Sequence, residues 1–424
     1  MWVKTWLGIF LSVSALCAGV GRAQSVAPTT PDLALVGGTV YTGPAETPLK
    51  DATVVIKDGN ITAVGPRTST IVPKGSSTVD CKELVIVAGF WNSHVHFMER
   101  KWSDAATMSS ADLEAQLQGM LTRFGFTSVW DTGSPWSTTR IVRDRIERGE
   151  VRGPRIRSTG EPMFPSGAFP SAQRAEQGAS ADALGFVKYP PIEVATAADA
   201  TTAARRHLDD GTDGIKLYAA IYFPPFSVMR QEAVDAAVKT AHDRGKPAFA
   251  HPTTREGLLA AVNGGVDVLL HTTPDAGPWD ERVLAAMHQA GVALVPTLKL
   301  FGYEVRHDQI ANARQLTNTA VGQLRAWSAA GGQTLFGTDV GYMSEYDPTV
   351  EYELMARAGL SSAQILASLT TAPAERFGDA SRLGRIAPGL AADLVVLNRD
   401  PKNDARAFAD VRYTIRNGQT IFRR

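Results

Sequence analysis

Apolar and polar positions follow different rhythms in different parts of the chain. From residue 32 to 80 they alternate and turn back repeatedly: Leu33 to Tyr41, Ala52 to Ile56 and Ile61 to Val64 are rich in apolar and β-branched residues, and Lys57-Asp58-Gly59-Asn60 separates the last two runs. Asp-Gly between such runs predicts a tight hairpin, because the turn whose twist matches the strands needs residues that tolerate positive φ. The same style returns at the far end in Asp393 to Leu397, Val411 to Ile415 and Thr420 to Phe422, with Arg416-Asn417-Gly418-Gln419 as the turn. Hairpins alone are marginal. Residues 30–83 and 380–424 are therefore expected to pair into one small β-sandwich domain built from both chain ends, the alternative being two independent decorations.

Between them, residues 84–379 alternate short apolar runs with helical periodicity, the mark of βα units around a parallel sheet. The runs fall at 84–92, 126–131, 155–159, 213–218, 247–250, 266–270, 292–296 and 334–338. Helical patterns span 111–124 and 232–244. Eight such runs close a (β/α)₈ barrel, so the expected fold class is α/β, a TIM-like barrel with the small β-sandwich attached. Residues 160–196 break the rhythm, with Pro162, Pro165, Pro170, Pro190 and Pro191 and no helical period. A loop of that length is a binding element or a solvated insertion.

Composition narrows the class without naming an activity. The 424 residues are 44% hydrophobic and 20% charged, and 43 basic residues face 43 acidic ones, so the basic field that nucleic acid requires is absent. Residues 1–23 read as a signal peptide: Lys4, an apolar stretch from Thr5 to Gly21, then small residues ending in Ala23. Its removal leaves 41 basic against 43 acidic residues, a formal net of −2. The chain is accordingly expected to be exported, to the periplasm or outside the cell, with no stable membrane insertion after cleavage; an uncleaved anchor is the alternative. Cys81 is then the single cysteine, and no intrachain disulfide can form.

Chemistry enters at the ends of the strand-like runs. The first ends in His94-Val95-His96, and residues two apart on an extended segment project to one side. Imidazole pairs so placed suit a borderline metal such as zinc. Lys216, His251, His271 and Asp339 close the fourth, fifth, sixth and eighth runs. Taken singly they read as core histidines, an ordinary helix or loop lysine and a helix cap. Together they stand where a barrel keeps its chemistry.

His-x-His, Lys, His, His and Asp on strands one, four, five, six and eight resembles the amidohydrolase superfamily in its binuclear-metal form with a carboxylated lysine. Val87-Ala88-Gly89-Phe90-Trp91-Asn92-Ser93-His94-Val95-His96 is similar to the family's opening motif, with Trp91-Asn92 in place of its aliphatic-Asp, and Leu383 to Leu397 resembles the return into its end domain. The likeness runs from about residue 32 to 422 and is greatest to the imidazolonepropionase-like group, which contains Xaa-Pro dipeptidases and ochratoxin-hydrolysing enzymes. The resemblance implies two divalent metal ions, expected to be zinc. His94, His96 and Asp339 would hold one, His251 and His271 the other, and N-carboxylated Lys216 would span both. It implies a bridging hydroxide as nucleophile, with Asp339 moving its proton.

The implied activity is amide hydrolysis of a dipeptide or an N-acyl amino acid. Cyclic amide, lactone or organophosphate ester hydrolysis on the same site is the alternative, and a non-catalytic binding protein a more distant one. Relatives that deaminate usually carry Glu three residues after the fifth-strand histidine; Thr254 stands there. Candidate substrate residues are Tyr218 and Tyr222, either of which could polarise the scissile carbonyl, and Lys299, which either meets a substrate carboxylate or is solvated. Asp131 and Tyr342 read as structural. The expected partner is a small molecule or dipeptide, and a homo-oligomer stays open.

Overall fold

The computed structural model describes residues 32–168, 191–221, 227–308 and 313–424. The N-terminal part contains β1 (Leu33–Val40), β2 (Leu49–Lys57), β3 (Asn60–Pro66), β4 (Ser77–Asp80) and β5 (Val85–Ala88). Then follow β6 (Phe90–Val95), β7 (Phe126–Asp131), β8 (Arg155–Ser158), β9 (Met163–Pro165), β10 (Ile192–Val194) and β11 (Ile215–Tyr218). After the short antiparallel pair β12 (Ala220–Ile221) and β13 (Ser227–Val228) come β14 (Ala248–His251), β15 (Val268–Leu270) and β16 (Ala293–Val295). The chain ends with β17 (Leu394–Leu397), β18 (Val411–Arg416) and β19 (Gln419–Arg423).

The two chain ends meet, and hydrogen bonding joins them into one eight-stranded sheet. Its order is β19-β18-β17-β5-β1-β2-β3, with β4 paired to β1. The join is β5, antiparallel to β17 and parallel to β1. The run 84–92, expected as one barrel strand, is thus two: β5 belongs to the end sheet and β6 to a parallel sheet with β7 and β8. Leu35, Val54, Ile56, Ile86, Leu394, Val396 and Ile415 fill one core under this sheet, each worth about 1.5–3 kcal/mol of burial. No single end could supply it.

The remaining strands form two parallel arcs, β6-β7-β8 and β10-β9-β11-β14-β15-β16; helices connect β6 to β7, β7 to β8, β10 to β11, β14 to β15 and β15 to β16. The expected helices appear as Ser110–Met120, followed by a 3₁₀ turn at Thr122–Phe124, and as Gln231–His242. The stretch expected as an eighth strand, 334–338, forms no ladder; single parallel bridges, Leu294 to Thr334 and Val95 to Val340, carry it between β16 and β6. The irregular connection contains β9 and β10, which pair in parallel; residues 169–190 lie outside the described set. Among the described residues no helix is long and apolar enough to cross a membrane.

Candidate metal centre

The histidine pair is aimed by an irregularity in β6. Against β7, Asn92 pairs with Val129 and Val95 with Asp131, so three steps on one strand oppose two on the other. A bulge of this kind reverses which face the following side chains take. Phe90 and Val95 consequently share the large outer core, while Trp91 packs in a separate inner cluster with Trp130 and Phe249. His94 and His96, alternating with Val95, face the inner side. Their Nε2 atoms are 3.2 Å apart. His96 Nδ1 donates to the Gly133 carbonyl at 2.9 Å, which leaves its Nε2 as the lone-pair nitrogen.

Asp339 reaches the pair because the backbone before and after it presses against β6. The amides of Thr338 and Asp339 both donate to the His94 carbonyl, at 3.3 and 2.9 Å. That proximity requires glycine on either side: a Cβ on Gly337 would lie 2.9 Å from His94 Cβ, and one on Gly341, where φ is +96°, 1.9 Å from the His96 carbonyl oxygen. Asp339 itself has φ +61°. Its Oδ1 is 2.8 Å from His96 Nε2 and 3.2 Å from His94 Nε2.

The second arc delivers the rest. Tyr218 is paired with His251 and Lys216 with Phe249, and strict alternation puts all four on the side of the inner cluster. His271 departs from alternation. Val268 and Leu270 pack inward and Leu269 outward, so a regular strand would turn His271 away; its φ of +72° brings it back. The His271 ring centroid is 4.7 Å from that of His94 and 4.4 Å from that of His251, and its Nε2 is 4.0 Å from Asp339 Oδ2. Non-glycine residues at such φ cost on the order of 1–3 kcal/mol and concentrate at functional sites.

The chemistry of the site could hold a metal ion. Burial foremost, and then neighbouring imidazoles and the Lys216 ammonium, hold His94, His251 and His271 well below the usual histidine range, so they present neutral rings. Burial pushes Lys216 down to about 7 against the pull of Asp339 and Asp131. Asp339 Oδ1 is buried and, despite two ring nitrogens nearby, makes no hydrogen bond of acceptable geometry among the described residues. A buried carboxylate oxygen without a donor is costly, and a divalent cation would supply what it lacks. Donor atoms of His94, His271 and Asp339 all lie within 4.8 Å of one another. The nitrogen and oxygen donor set fits such a group.

Other sequence candidates fall around this centre. Tyr218 is partly exposed and sandwiched between Phe164 and His251, with centroids 4.6 and 4.5 Å away; Tyr222 lies outside the described residues. Lys299 is 4% exposed, which rules out the solvated alternative. Its ammonium donates to the carbonyls of Glu345 and Asp347, tying the loop after Asp339 to the segment after β16. Asp131 is fully buried and accepts from Ser134, Thr139 and Ser158 at 2.5, 2.7 and 2.8 Å. Thr254 caps the helix Arg255–Asn263 through the Gly257 amide. Sequence reasoning passed over Thr297, whose hydroxyl is 2.5 Å from His271 Nδ1, and Glu351, which is fully buried and accepts the amides of the next two residues, Leu298 and Lys299. A threonine after an apolar run carries no distinguishing signal.

Fold and site define a parallel α/β protein with a histidine- and carboxylate-lined centre at its strand ends. The sequence matches the Amidohydrolase family over residues 85–421, and the chain belongs to that family. Ochratoxinase of Aspergillus niger is 23% identical over 410 residues, covering 89% of this chain and 83% of its own. A structure assigned as a prolidase from Bifidobacterium longum superposes with a TM-score of 0.78 at 26% identity, covering 93% of this chain and 96% of that one. A Xaa-Pro dipeptidase with bound methionine gives 0.78 at 22% identity, over 93% and 100%; at that identity the likeness speaks to fold alone.

Proposed function

We propose that this protein is an exported, metal-dependent amidohydrolase that cleaves the amide bond of a dipeptide or an N-acyl amino acid. The observation that carries the reading is the convergence of His94 and His96 with His271 and Asp339, with Lys216 and His251 on the same inner side. In this reading the two parallel arcs are parts of one (β/α)₈ barrel that begins with β6 and runs to about residue 379, and the sheet made by the chain ends is its second domain. His94, His96 and Asp339 would hold one divalent ion, expected to be zinc, and His251 and His271 a second. Lys216, carboxylated on Nζ, would reach both; as a plain ammonium it would be repelled by them at ångström range. Bound divalent ions supply Lewis acidity and lower the pKa of water.

The chain's own groups do the rest. Asp339 accepts a proton of the attacking water on its buried carboxylate and delivers it to the departing nitrogen. Tyr218, with its ring held flat against His251, or Tyr222 polarises the scissile carbonyl. The relatives named ochratoxinase and prolidase support an amide as the bond cleaved.

The test is a hydrolysis screen of the zinc-loaded protein over Xaa-Pro and Xaa-Arg dipeptides, N-acyl amino acids and a matched set of lactones. Amide turnover that chelation abolishes and zinc restores is expected. Turnover confined to lactones, or unaffected by chelation, would overturn the reading.

A further inference from the structure

Two of the clustered histidines have a partner for the ring nitrogen that faces away from the centre, and the two partners differ in kind. His96 uses the Gly133 carbonyl, which can only accept. His271 uses the Thr297 hydroxyl at 2.5 Å, which can donate or accept. Thr297 is fully buried and stands at φ +43°, a conformation that β-branched residues rarely adopt. Something must hold it there.

The next two residues are held by a carboxylate from a distant helix. Glu351, in the helix Thr349–Arg357, is fully buried. Its Oε1 accepts the Leu298 amide at 2.9 Å and its Oε2 the Lys299 amide at 2.7 Å. These are the first two amides of the helix Leu298–Asp308, which have no partner within that helix. The bidentate contact therefore fixes the turn that begins at Thr297, and with it the place of the hydroxyl.

We infer that Glu351 and Thr297 form one positioning device for His271: Glu351 locks the 297–299 turn, the Thr297 hydroxyl accepts the Nδ1 proton, and Nε2 is left as the nitrogen that faces the centre. Thr297 and Glu351 are positioning residues, acting through His271 without touching substrate. The inference rests on the metal-centre reading above.

The measurements are the zinc affinity of the full chain by competition with a coloured chelator, and the ring tautomer of His271 in the metal-free protein by long-range ¹H–¹⁵N NMR. Thr297→Val keeps the shape and removes the oxygen; Thr297→Ser keeps the oxygen. Thr297→Val is expected to weaken one zinc by 10- to 100-fold, as loss of a partner to a ligating imidazole does, and to turn His271 from the Nδ1-protonated form to a mixture. Thr297→Ser should restore both. Glu351→Gln should weaken the same zinc several-fold and add nothing to Thr297→Val, since both act along one chain of contacts. Equal affinity and tautomer in Thr297→Val and the parent would overturn the inference and leave the metal-centre reading intact. A parent chain that takes up no zinc would overturn both. Should Glu351→Gln fail to fold, the Val and Ser pair still decides.

Discussion

Gly341 packs its Cα directly against the carbonyl oxygen of His96, so closely that a methyl group there would lie 1.9 Å from it. The contact joins the segment carrying Asp339 to the strand carrying the histidine pair, and at φ +96° it also demands a backbone that side chains disfavour. Gly341→Ala should therefore cost at least about 2–3 kcal/mol and weaken metal retention together with stability. Thermal unfolding and zinc content of the purified variant measure both; a variant with parental melting temperature would refute the tight approach.

Asp339 is assigned the proton transfer. At saturating zinc, Asp339→Asn should lower kcat/KM by about 10²- to 10⁴-fold, and the loss should persist when zinc content is matched to the parent. Full recovery on adding zinc would show that the carboxylate only holds metal.

Lys216 should cost stability while it serves the site. It is 1% exposed and its pKa is pushed down to about 7 from the ordinary 10.5. Above pH 10.5 the amine is neutral folded or unfolded and there is no penalty. As the pH falls toward 7 the unfolded chain gains a proton that the folded one refuses, and the penalty grows; below 7 it is constant. A shift of this size corresponds to up to about 5 kcal/mol. Metal-free Lys216→Met should thus be more stable than the metal-free parent at pH 7 in carbonate-free buffer, with the gap closing by pH 10, and should bind zinc poorly. Urea denaturation at both pH values is the measurement, and an equally stable or less stable variant at pH 7 would sink the prediction.

Cys81 reports on the end sheet and on the proposed leader, residues 1–23, at once. Burial, and then the charge of Asp80, push its thiol up to about 12, and it is fully buried. At pH 8 a disulfide reagent should leave the native mature chain unmodified and titrate a single thiol in denaturant. A second thiol would mean that Cys17, and with it the leader, is retained.

Much of the site was legible in the linear pattern. The type and order of His94, His96, Lys216, His251, His271 and Asp339 at the ends of apolar runs pointed to one chemistry, because strand ends are where a parallel α/β layer gathers polar groups. The two hairpins and the joining of the chain ends were readable from Asp58-Gly59 and Asn417-Gly418 and from runs too short to bury a face alone. Periodicity could not say which way three of those ligands point. His94 and His96 lie off the alternation set by Trp91 and are returned by the bulge in β6; His271 lies off that of Leu270 and is returned by a positive φ.

What the sequence determined by itself was the inventory: residue types, order, and the local preferences that make strands, helices and turns. Only the tertiary structure decided that β5 belongs to the end sheet, that the Lys299 ammonium is bound to the loop after Asp339, and that Glu351 holds the amides of Leu298 and Lys299. Each of these depends on contacts between residues tens to hundreds of positions apart. A local pattern encodes how a segment bends, whereas the partner that holds it bent is chosen by packing of the whole chain.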